Sequence, residues 1–232
     1  MATFVLIHGA ADTAWYWHLV EPELRGRGHD VVTMDLPCDD DSAGLAEYAD
    51  TVVDAIGERK DLVLVAQSFG GFTAPLVCER VPVDLMVLVA AMIPSPGEAP
   101  GEYWTNTGWQ PTKVDHVEQP EGTSGEDAET IAAFMHDVPP DLAVEALKRV
   151  RGQSETPGKK PWPLEAWPDV PTRFLLCRDD RFFPADWMHG VVKERLGITP
   201  DEIDGSHCIA LSKPKELADR LEAYLMDQRS PQ

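Results

Sequence analysis

The sequence predicts an α/β protein in which a mostly parallel sheet is flanked by helices. Short apolar runs without polar alternation have the length of buried strands, and they lie at residues 4–7, 31–34, 62–65, 85–89 and 174–176. Segments with helical periodicity separate these runs, and this alternation favours right-handed crossovers and an open parallel sheet. With 232 residues, 43% of them hydrophobic, the chain is long enough to form a single domain over residues 1–232.

The clearest helical pattern follows the second strand run. Its apolar residues fall on one helical face, and they are Leu45, Tyr48, Ala49, Val52, Val53 and Ile56. A second amphipathic helix closes the chain, where Leu217, Leu221 and Leu225 follow a start signal at Ser212 and Pro214. A short strand signal at residues 202–203 precedes this helix and would add one more strand to the sheet.

The alternation breaks between the fourth and fifth strand runs, where we expect an inserted small helical cap over approximately residues 93–169. This segment is rich in Pro, Gly and Trp, and it has two weaker helical patterns, at residues 126–135 and 141–151. Four of the seven tryptophans lie in it: Trp104, Trp109, Trp162 and Trp167. Such aromatic side chains either roof an apolar pocket or anchor a loop-rich segment to the core. The first alternative makes Trp104, Trp109 and Trp162 candidate substrate-binding residues.

The charge balance excludes two classes of partner. The chain has 40 acidic and 20 basic residues, a formal net charge of −20 that repels nucleic acid and anionic membrane surfaces. No apolar stretch approaches the ~20 residues that span a bilayer, and residues 1–7 lack the features of a secretory signal. The four cysteines, Cys38, Cys78, Cys177 and Cys208, lack the spacing of a metal or redox site. We therefore expect a cytoplasmic protein that holds no metal and takes a small-molecule substrate.

The third strand run ends in a sequence typical of a nucleophile elbow. The apolar residues 62–66 lead through Gln67 to Ser68, and Phe69, Gly70 and Gly71 then begin a turn and a helix. A serine on such a strained turn is usually activated by a neighbouring base. A tight turn with a capping serine is the structural alternative for this segment alone.

Histidine is the side chain that serves as a base near neutral pH, and His207 is the best of seven candidates. It follows the turn Asp204-Gly205-Ser206 and precedes the closing helix, so it lies at the carboxyl edge of the sheet, where ligands bind in open α/β folds. The other candidates lie in helices, in the cap or beside the first strand: His8, His18, His29, His116, His136 and His189.

An acid that orients the imidazole is expected at the end of the fifth strand run, where Asp179 and Asp180 follow Cys177 and Arg178. We choose Asp180, with Asp179 as the second candidate. Two backbone amides must stabilise the oxyanion, and those of Phe69 and Ala10 are the candidates. Gly9 lets the loop after the first strand approach the serine closely.

These residues resemble the α/β-hydrolase fold family over essentially the whole chain. The resemblance rests on five ordered landmarks: His8-Gly9, Asp35-Leu36-Pro37, the Ser68 elbow, Asp180 with Pro184, and Gly205-Ser206-His207. Within the family the start of the chain, His8-Gly9-Ala10 followed by residues 14–17, is similar to the compact, small-cap branch of plant methylesterases, hydroxynitrile lyases and bacterial esterases. Two features depart from the family pattern: Ala66 replaces the first glycine of the elbow motif, and the antiparallel strands that often open the fold are missing.

The resemblance also implies an activity. The lyases of this branch carry Thr in place of Gly9 and Lys in place of Cys208, so both positions favour hydrolysis over cyanohydrin cleavage. Gly9 and Cys208 are also candidate substrate-binding residues. We therefore expect a cofactor-independent serine hydrolase that cleaves a carboxylic ester through Ser68, His207, Asp180 and an acyl-enzyme. Thioester or carbon–carbon bond hydrolysis uses the same residues. A small-molecule-binding member of the fold with little turnover is the alternative from another class.

Overall fold

Six strands form one parallel sheet in the computed structural model, which describes residues 1–114, 117 and 119–230. The strands are β1 (Thr3–Ile7), β2 (Asp30–Thr33), β3 (Leu62–Gln67), β4 (Leu85–Val89), β5 (Thr172–Cys177) and β6 (Asp201–Ile203). Their order across the sheet is β2-β1-β3-β4-β5-β6. The α/β class and the mostly parallel sheet are therefore confirmed.

The strand order reverses direction at β1, and this reversal positions the site. The chain moves from β1 to β2 on one side and then returns to place β3 on the other side, so that Val5 lies between Val32 and Leu64. The loops after β1 and β3 consequently leave the sheet next to each other. In open α/β sheets this crevice at the carboxyl ends of the strands is where ligands bind.

Ten α-helices and three 3₁₀ helices accompany the sheet in the described residues. The α-helices are α1 (Val20–Gly26), α2 (Leu45–Ile56), α3 (Ala74–Cys78), α4 (Tyr103–Asn106), α5 (Gly125–Phe134), α6 (Pro140–Leu147), α7 (Thr156–Lys159), α8 (Ala185–Leu196), α9 (Ile209–Ser212) and α10 (Pro214–Arg229). The 3₁₀ helices are Ala14–Trp17, Ser68–Phe72 and Pro100–Glu102.

Two hydrophobic cores cover the two faces of the sheet. Alternate residues of β1 separate into them: Val5 and Ile7 pack with apolar residues of α2, α3 and α8, whereas Phe4 and Leu6 pack with those of α1, α9 and α10. This arrangement explains why the strand runs show no polar alternation, since both faces are buried. The predicted stripes of α2 and α10 are buried as well.

The β4–β5 segment (residues 90–171) contains α4 to α7 and the 3₁₀ helix Pro100–Glu102. It is tied to the sheet domain by a buried ion pair, in which Arg195 of α8 lies 2.6 Å from Glu98. The predicted helix over residues 141–151 is shorter, because α6 ends at Leu147. The chain leaves the helix there, and the Arg151 backbone nitrogen donates to Ala11 in the loop after β1 at 2.8 Å.

Candidate active site

Ser68 stands on a strained turn at the carboxyl end of β3. Its φ of 50° lies in the left-handed region, which a residue with a side chain rarely adopts, and the 3₁₀ helix Ser68–Phe72 follows. The next two glycines have no room for a side chain. A Cβ at Gly71 would lie 1.9 Å from the backbone oxygen of Met92, and one at Gly70 would lie 2.9 Å from that of His8. The sequence Ser-Phe-Gly-Gly therefore folds as the predicted elbow.

Alanine at position 66 is compatible with this elbow. Ala66 is fully buried in the core formed with α2 and α3, and its neighbour on β4 is Leu88. The methyl group fits where the usual motif has glycine, so this departure from the family pattern does not displace Ser68.

His207 and Asp180 form a buried hydrogen-bonded pair. The imidazole Nδ1 lies 2.7 Å from Oδ2 of Asp180, and both side chains are almost completely inaccessible to solvent. The second oxygen, Oδ1, accepts hydrogen bonds from the backbone nitrogens of Phe182 and Phe183, both at 2.8 Å. Asp179, the second candidate, is exposed. Because the turn after β5 fixes Oδ1 of Asp180, the carboxylate presents Oδ2 to the histidine as a defined acceptor.

Aromatic edges hold the imidazole from the other sides. The ring centroids of Phe134, Phe182 and Phe183 lie 5.5, 5.4 and 4.9 Å from that of His207, with nearly perpendicular planes. Phe134 ends α5 in the β4–β5 segment, and the two other rings belong to the loop after β5. These contacts limit rotation of the imidazole about its hydrogen bond to Asp180.

The loop after β1 brings Ala10 beside the elbow. A Cβ on Gly9 would lie 2.6 Å from the Gln67 side-chain oxygen and 3.0 Å from the Cβ of Ser68, so this close approach requires glycine. His8 fixes the loop: its Nε2 accepts from the Leu36 nitrogen at 3.0 Å, and its Nδ1 donates to the Gly9 oxygen at 2.8 Å. Burial lowers the pKa of His8 to about 4, so it is neutral near pH 7. His8 therefore holds this loop in place through its two hydrogen bonds.

A cavity of about 310 Å³ joins these groups. Ser68, His207, Ala10 and Phe69 all line it, as do Gly9 and Cys208. Most of the remaining wall is apolar, with contributions from Trp15, Met92, Trp104, Phe134, Phe182 and Leu211. The elbow, the histidine and both candidate oxyanion residues therefore line one largely apolar space. Burial raises the pKa of the Cys208 thiol, which is consequently neutral beside the histidine.

The candidate tryptophans divide between the wall and the core. Trp104 lines the cavity. Trp109 packs behind it at a centroid distance of 4.7 Å and donates from Nε1 to the Phe182 oxygen at 2.7 Å. Trp162 is 1% exposed and donates to the Phe72 oxygen at 3.1 Å, so it lies in the core under the elbow helix. Neither Trp109 nor Trp162 lines this cavity, and both anchor the segment to the rest of the domain.

Other histidines lie apart from the cavity in the part of the chain that the structure describes. His18 stacks on Trp15 and bonds to its backbone oxygen, His29 bonds to the Ala2 nitrogen, and His189 pairs with Glu202. His116 lies outside the described residues. Within residues 1–114, 117 and 119–230, His207 is the one histidine in the cavity wall.

Among these same residues, no cluster of three or more His, Cys, Asp or Glu side chains could hold a metal ion. No helix formed by them has the length and apolarity needed to cross a membrane.

The sequence model of the alpha/beta hydrolase family matches residues 4–220 of this chain. The chain belongs to the alpha/beta hydrolase family. Methylesterase 7 of Arabidopsis thaliana is 27% identical, with 92% of each chain covered. Norfluorocurarine synthase 1 of Strychnos nux-vomica is 25% identical over 94% of this chain and 93% of the relative. The crystal structure of polyneuridine aldehyde esterase superposes with a TM-score of 0.80 at 22% identity, covering 97% of this chain and 99% of that one.

These similarities agree with the family and branch that the sequence predicts. The family match includes β1, the elbow and the His207 loop, so all the landmarks lie inside it. The described sheet has six parallel strands and none of the antiparallel strands that often open the fold. The family model nevertheless matches residues 4–220, so the family assignment stands without them.

Two polar groups of this hydrolase site escaped the sequence analysis. The Gln67 side chain lines the cavity, and its nitrogen donates to the backbone oxygen of His207 at 3.3 Å. Asp12 also lines the cavity, two residues beyond Ala10. The one signal in the sequence was that both residues lie next to predicted site residues, and this alone does not tell which way a side chain points.

Proposed function

We propose that this protein is a serine esterase that cleaves a carboxylic ester through an acyl-enzyme. The observation that carries the proposal is the 2.7 Å hydrogen bond between Asp180 and His207, in a cavity that Ser68 and the loop after β1 also line. A strained serine, a histidine and a buried acid in this chain order are the parts of one acyl-transfer machinery.

Each residue has a distinct role in the proposed reaction. His207 takes the proton from Ser68 as the hydroxyl oxygen attacks the ester carbonyl, and the resulting oxyanion accepts hydrogen bonds from the amides of Ala10 and Phe69. Asp180 keeps the imidazole proton on Nδ1, so that Nε2 is free to accept. His207 then gives the proton to the departing alcohol. Water attacks the acyl-enzyme in the same way and releases the acid and the free serine.

The apolar wall supports an ester with an apolar or aromatic part as the substrate. Trp104 and Phe134 reach the cavity from the β4–β5 segment, and we propose that this segment acts as the cap over the site. The names of the similar proteins favour esters over thioesters, since two of the three proteins compared above are named as esterases. Gly9 and Cys208 complete the wall beside Ser68 and His207. No cofactor or metal takes part in the proposed reaction.

Charge and cysteine chemistry extend the proposal to the surroundings of the enzyme. The net charge of −20 disfavours nucleic acid and anionic membranes as partners. All four cysteines are free thiols, which agrees with a reducing compartment such as the cytoplasm.

A fluorophosphonate probe tests the proposed nucleophile directly. We expect the intact mass of the wild-type protein to increase by one adduct, and Ser68→Ala to gain none. Ser42→Ala, at an exposed serine of the loop before α2, is the matched control and should be labelled like the wild type. No adduct on the wild type, or an undiminished adduct on Ser68→Ala, would contradict the serine mechanism. A panel of methyl, aryl and thio esters then identifies the bond that is cleaved.

A further inference from the structure

One carboxyl group stands in the wall of the mostly apolar cavity. Asp12 lines the same space as Ser68 and His207, and its Oδ1 accepts a hydrogen bond from the Thr13 nitrogen at 2.8 Å. Within the residues that the structure describes, no Lys or Arg nitrogen lies within 4.0 Å of this carboxyl group. A carboxylate placed against ligand space without a cation is costly unless the ligand itself compensates it.

The fold around Asp12 does not need its charge. Thr13 caps the 3₁₀ helix Ala14–Trp17, with its side chain accepting from the Trp15 nitrogen at 3.3 Å. Asp35, from the loop after β2, accepts from the Ala14 nitrogen at 2.7 Å. Other residues therefore supply two of the three side-chain acceptors that order this turn, and Oδ1 of Asp12 supplies the third. The Asp12 carboxyl is left with one neighbouring amide and the cavity.

The rest of the wall favours a cation as the compensating group. Of the described residues that line the cavity, none is Lys or Arg, so Asp12 faces no competing positive side chain there. Trp104 contributes an indole ring to the same wall, whereas the Trp15 ring stacks on His18 and already lies 5.2 Å from the Arg149 guanidinium. Indole rings attract ammonium groups through their quadrupole, in addition to the charge of the carboxylate.

We propose that Asp12 forms a cation subsite in the substrate cavity, so that the protein selects esters with an ammonium group over neutral esters of the same shape. The inference rests on the proposed ester hydrolysis, because it names the substrate class of that same site. It also implies that an ester carrying a second carboxylate is disfavoured, since two negative charges would share a space of low dielectric constant.

The selectivity should depend on pH. Burial raises the pKa of Asp12 to about 6, a shift that the Thr13 amide reduces and nearby Asp35 increases. Asp12 is therefore mostly ionised at pH 8 and mostly neutral at pH 5. The other titratable groups that face it are Asp35, Tyr16, Cys38, Cys208 and, across the cavity, His207. Burial raises the pKa of Tyr16 and of both thiols, so these remain neutral over this range.

Binding to Ser68→Ala tests the subsite without turnover. Two pairs of permanently charged and neutral isosteres place the charge on either side of the ester. In the first pair, choline phenylacetate is compared with 3,3-dimethylbutyl phenylacetate. In the second pair, methyl 4-(trimethylammonio)butanoate is compared with methyl 5,5-dimethylhexanoate. Quenching of tryptophan fluorescence gives each Kd, since Trp15 and Trp104 line the cavity. We expect the cation of at least one pair to bind about tenfold more tightly at pH 8, and the ratio to approach one at pH 5.

Two further variants in the Ser68→Ala background assign the effect. Adding Asp12→Asn should remove the preference at pH 8 and leave the Kd of the neutral ester within about threefold. Because Asn keeps the shape, and because His207 is unchanged, any residual pH dependence of the ratio in this variant belongs to His207. Asp54→Asn removes one exposed carboxylate of α2 outside the cavity wall and should keep the preference, which controls for net charge.

A ratio near one for both pairs in Ser68→Ala at pH 8, or a preference that survives Asp12→Asn, would overturn the subsite. The proposed esterase function fails separately, if the wild-type protein hydrolyses neither the neutral nor the charged esters in a Ser68-dependent way. Since the binding ratio does not need turnover, it decides the role of Asp12 in either case.

Discussion

Replacing Asp180 by Asn changes one atom of the buried pair, and the structure dictates which tautomer results. Oδ1 accepts from the backbone nitrogens of Phe182 and Phe183 at 2.8 Å. In Asp180→Asn the amide oxygen must occupy this position, because the NH₂ group would set donors against donors. The NH₂ group then takes the place of Oδ2, 2.7 Å from His207 Nδ1, and donates to it. The imidazole proton moves to Nε2, which can no longer accept the proton of Ser68.

We expect this wrong tautomer to lower kcat by about 10⁴-fold, the size of the loss caused by the equivalent Asp→Asn change in a serine protease. That factor corresponds to about 5.5 kcal/mol in the activation free energy. The assay is hydrolysis of 4-nitrophenyl butyrate at pH 8, with thermal unfolding of each variant to verify the fold. Since Asn preserves both hydrogen bonds to the backbone, the loss of activity should come with little loss of thermal stability.

Asp179→Asn is the matched control, because Asp179 is the neighbouring residue in the same loop and its side chain is exposed. It should retain kcat within about twofold. If Asp180→Asn keeps more than a tenth of the activity, the tautomer argument fails. If Asp179→Asn is the variant that loses activity, then Asp179 and not Asp180 is the acid of the site.

Two further predictions concern stability. Burial lowers the pKa of His8 from 6.5 to about 4, so below pH 6.5 the unfolded chain binds a proton that the folded one does not. The free energy of unfolding should therefore fall by about 3 kcal/mol from pH 6.5 to 4. Urea titrations at several pH values should show that the unfolding free energy of His8→Gln falls less over this range than that of the wild type. An equal fall in both proteins would exclude His8 as the source. Gly71→Ala should lower the unfolding free energy by at least about 2 kcal/mol, because its Cβ would meet the Met92 oxygen at 1.9 Å. Gly190→Ala, exposed on α8 with nothing within 4 Å of the new Cβ, should be neutral or slightly stabilising, and similar losses in both variants would refute the packing argument.

The sheet was predictable because its central strands β1, β3 and β4 are buried on both faces. Continuous apolar runs such as residues 62–65 carry that information locally, and turn residues such as Gly9 mark where the strands end. The elbow was predictable for a related reason. Ser68 is followed by two glycines that the close approach of Met92 and His8 requires, so the local sequence already contains the constraint that the fold imposes.

The walls of the cavity were less predictable, because composition does not reveal which face of a residue is covered. Trp104 and Trp162 are both tryptophans of the β4–β5 segment, yet one lines the cavity and the other lies under the elbow helix. Their different positions depend on contacts between segments far apart in the chain, such as the bond from Trp162 to the Phe72 oxygen. Asp12 is a similar case, since the loop after β1 is held by residues after α6, where Arg151 and Gln153 bond to Ala11.

Long-range contacts also explain why the β4–β5 segment matters to the proposed chemistry and not only to substrate shape. The end of α5 bonds to both loops that carry the buried pair. The Phe134 oxygen accepts from the Cys208 nitrogen at 3.1 Å, and Asp137 accepts from the Ser206 nitrogen at 3.0 Å. On the other loop, Arg181 donates to the Ala132 oxygen at 2.8 Å. The residues on either side of His207 and the one after Asp180 are thus held by a single stretch of the segment, so any displacement of α5 that changes the cavity also changes the alignment of histidine and acid.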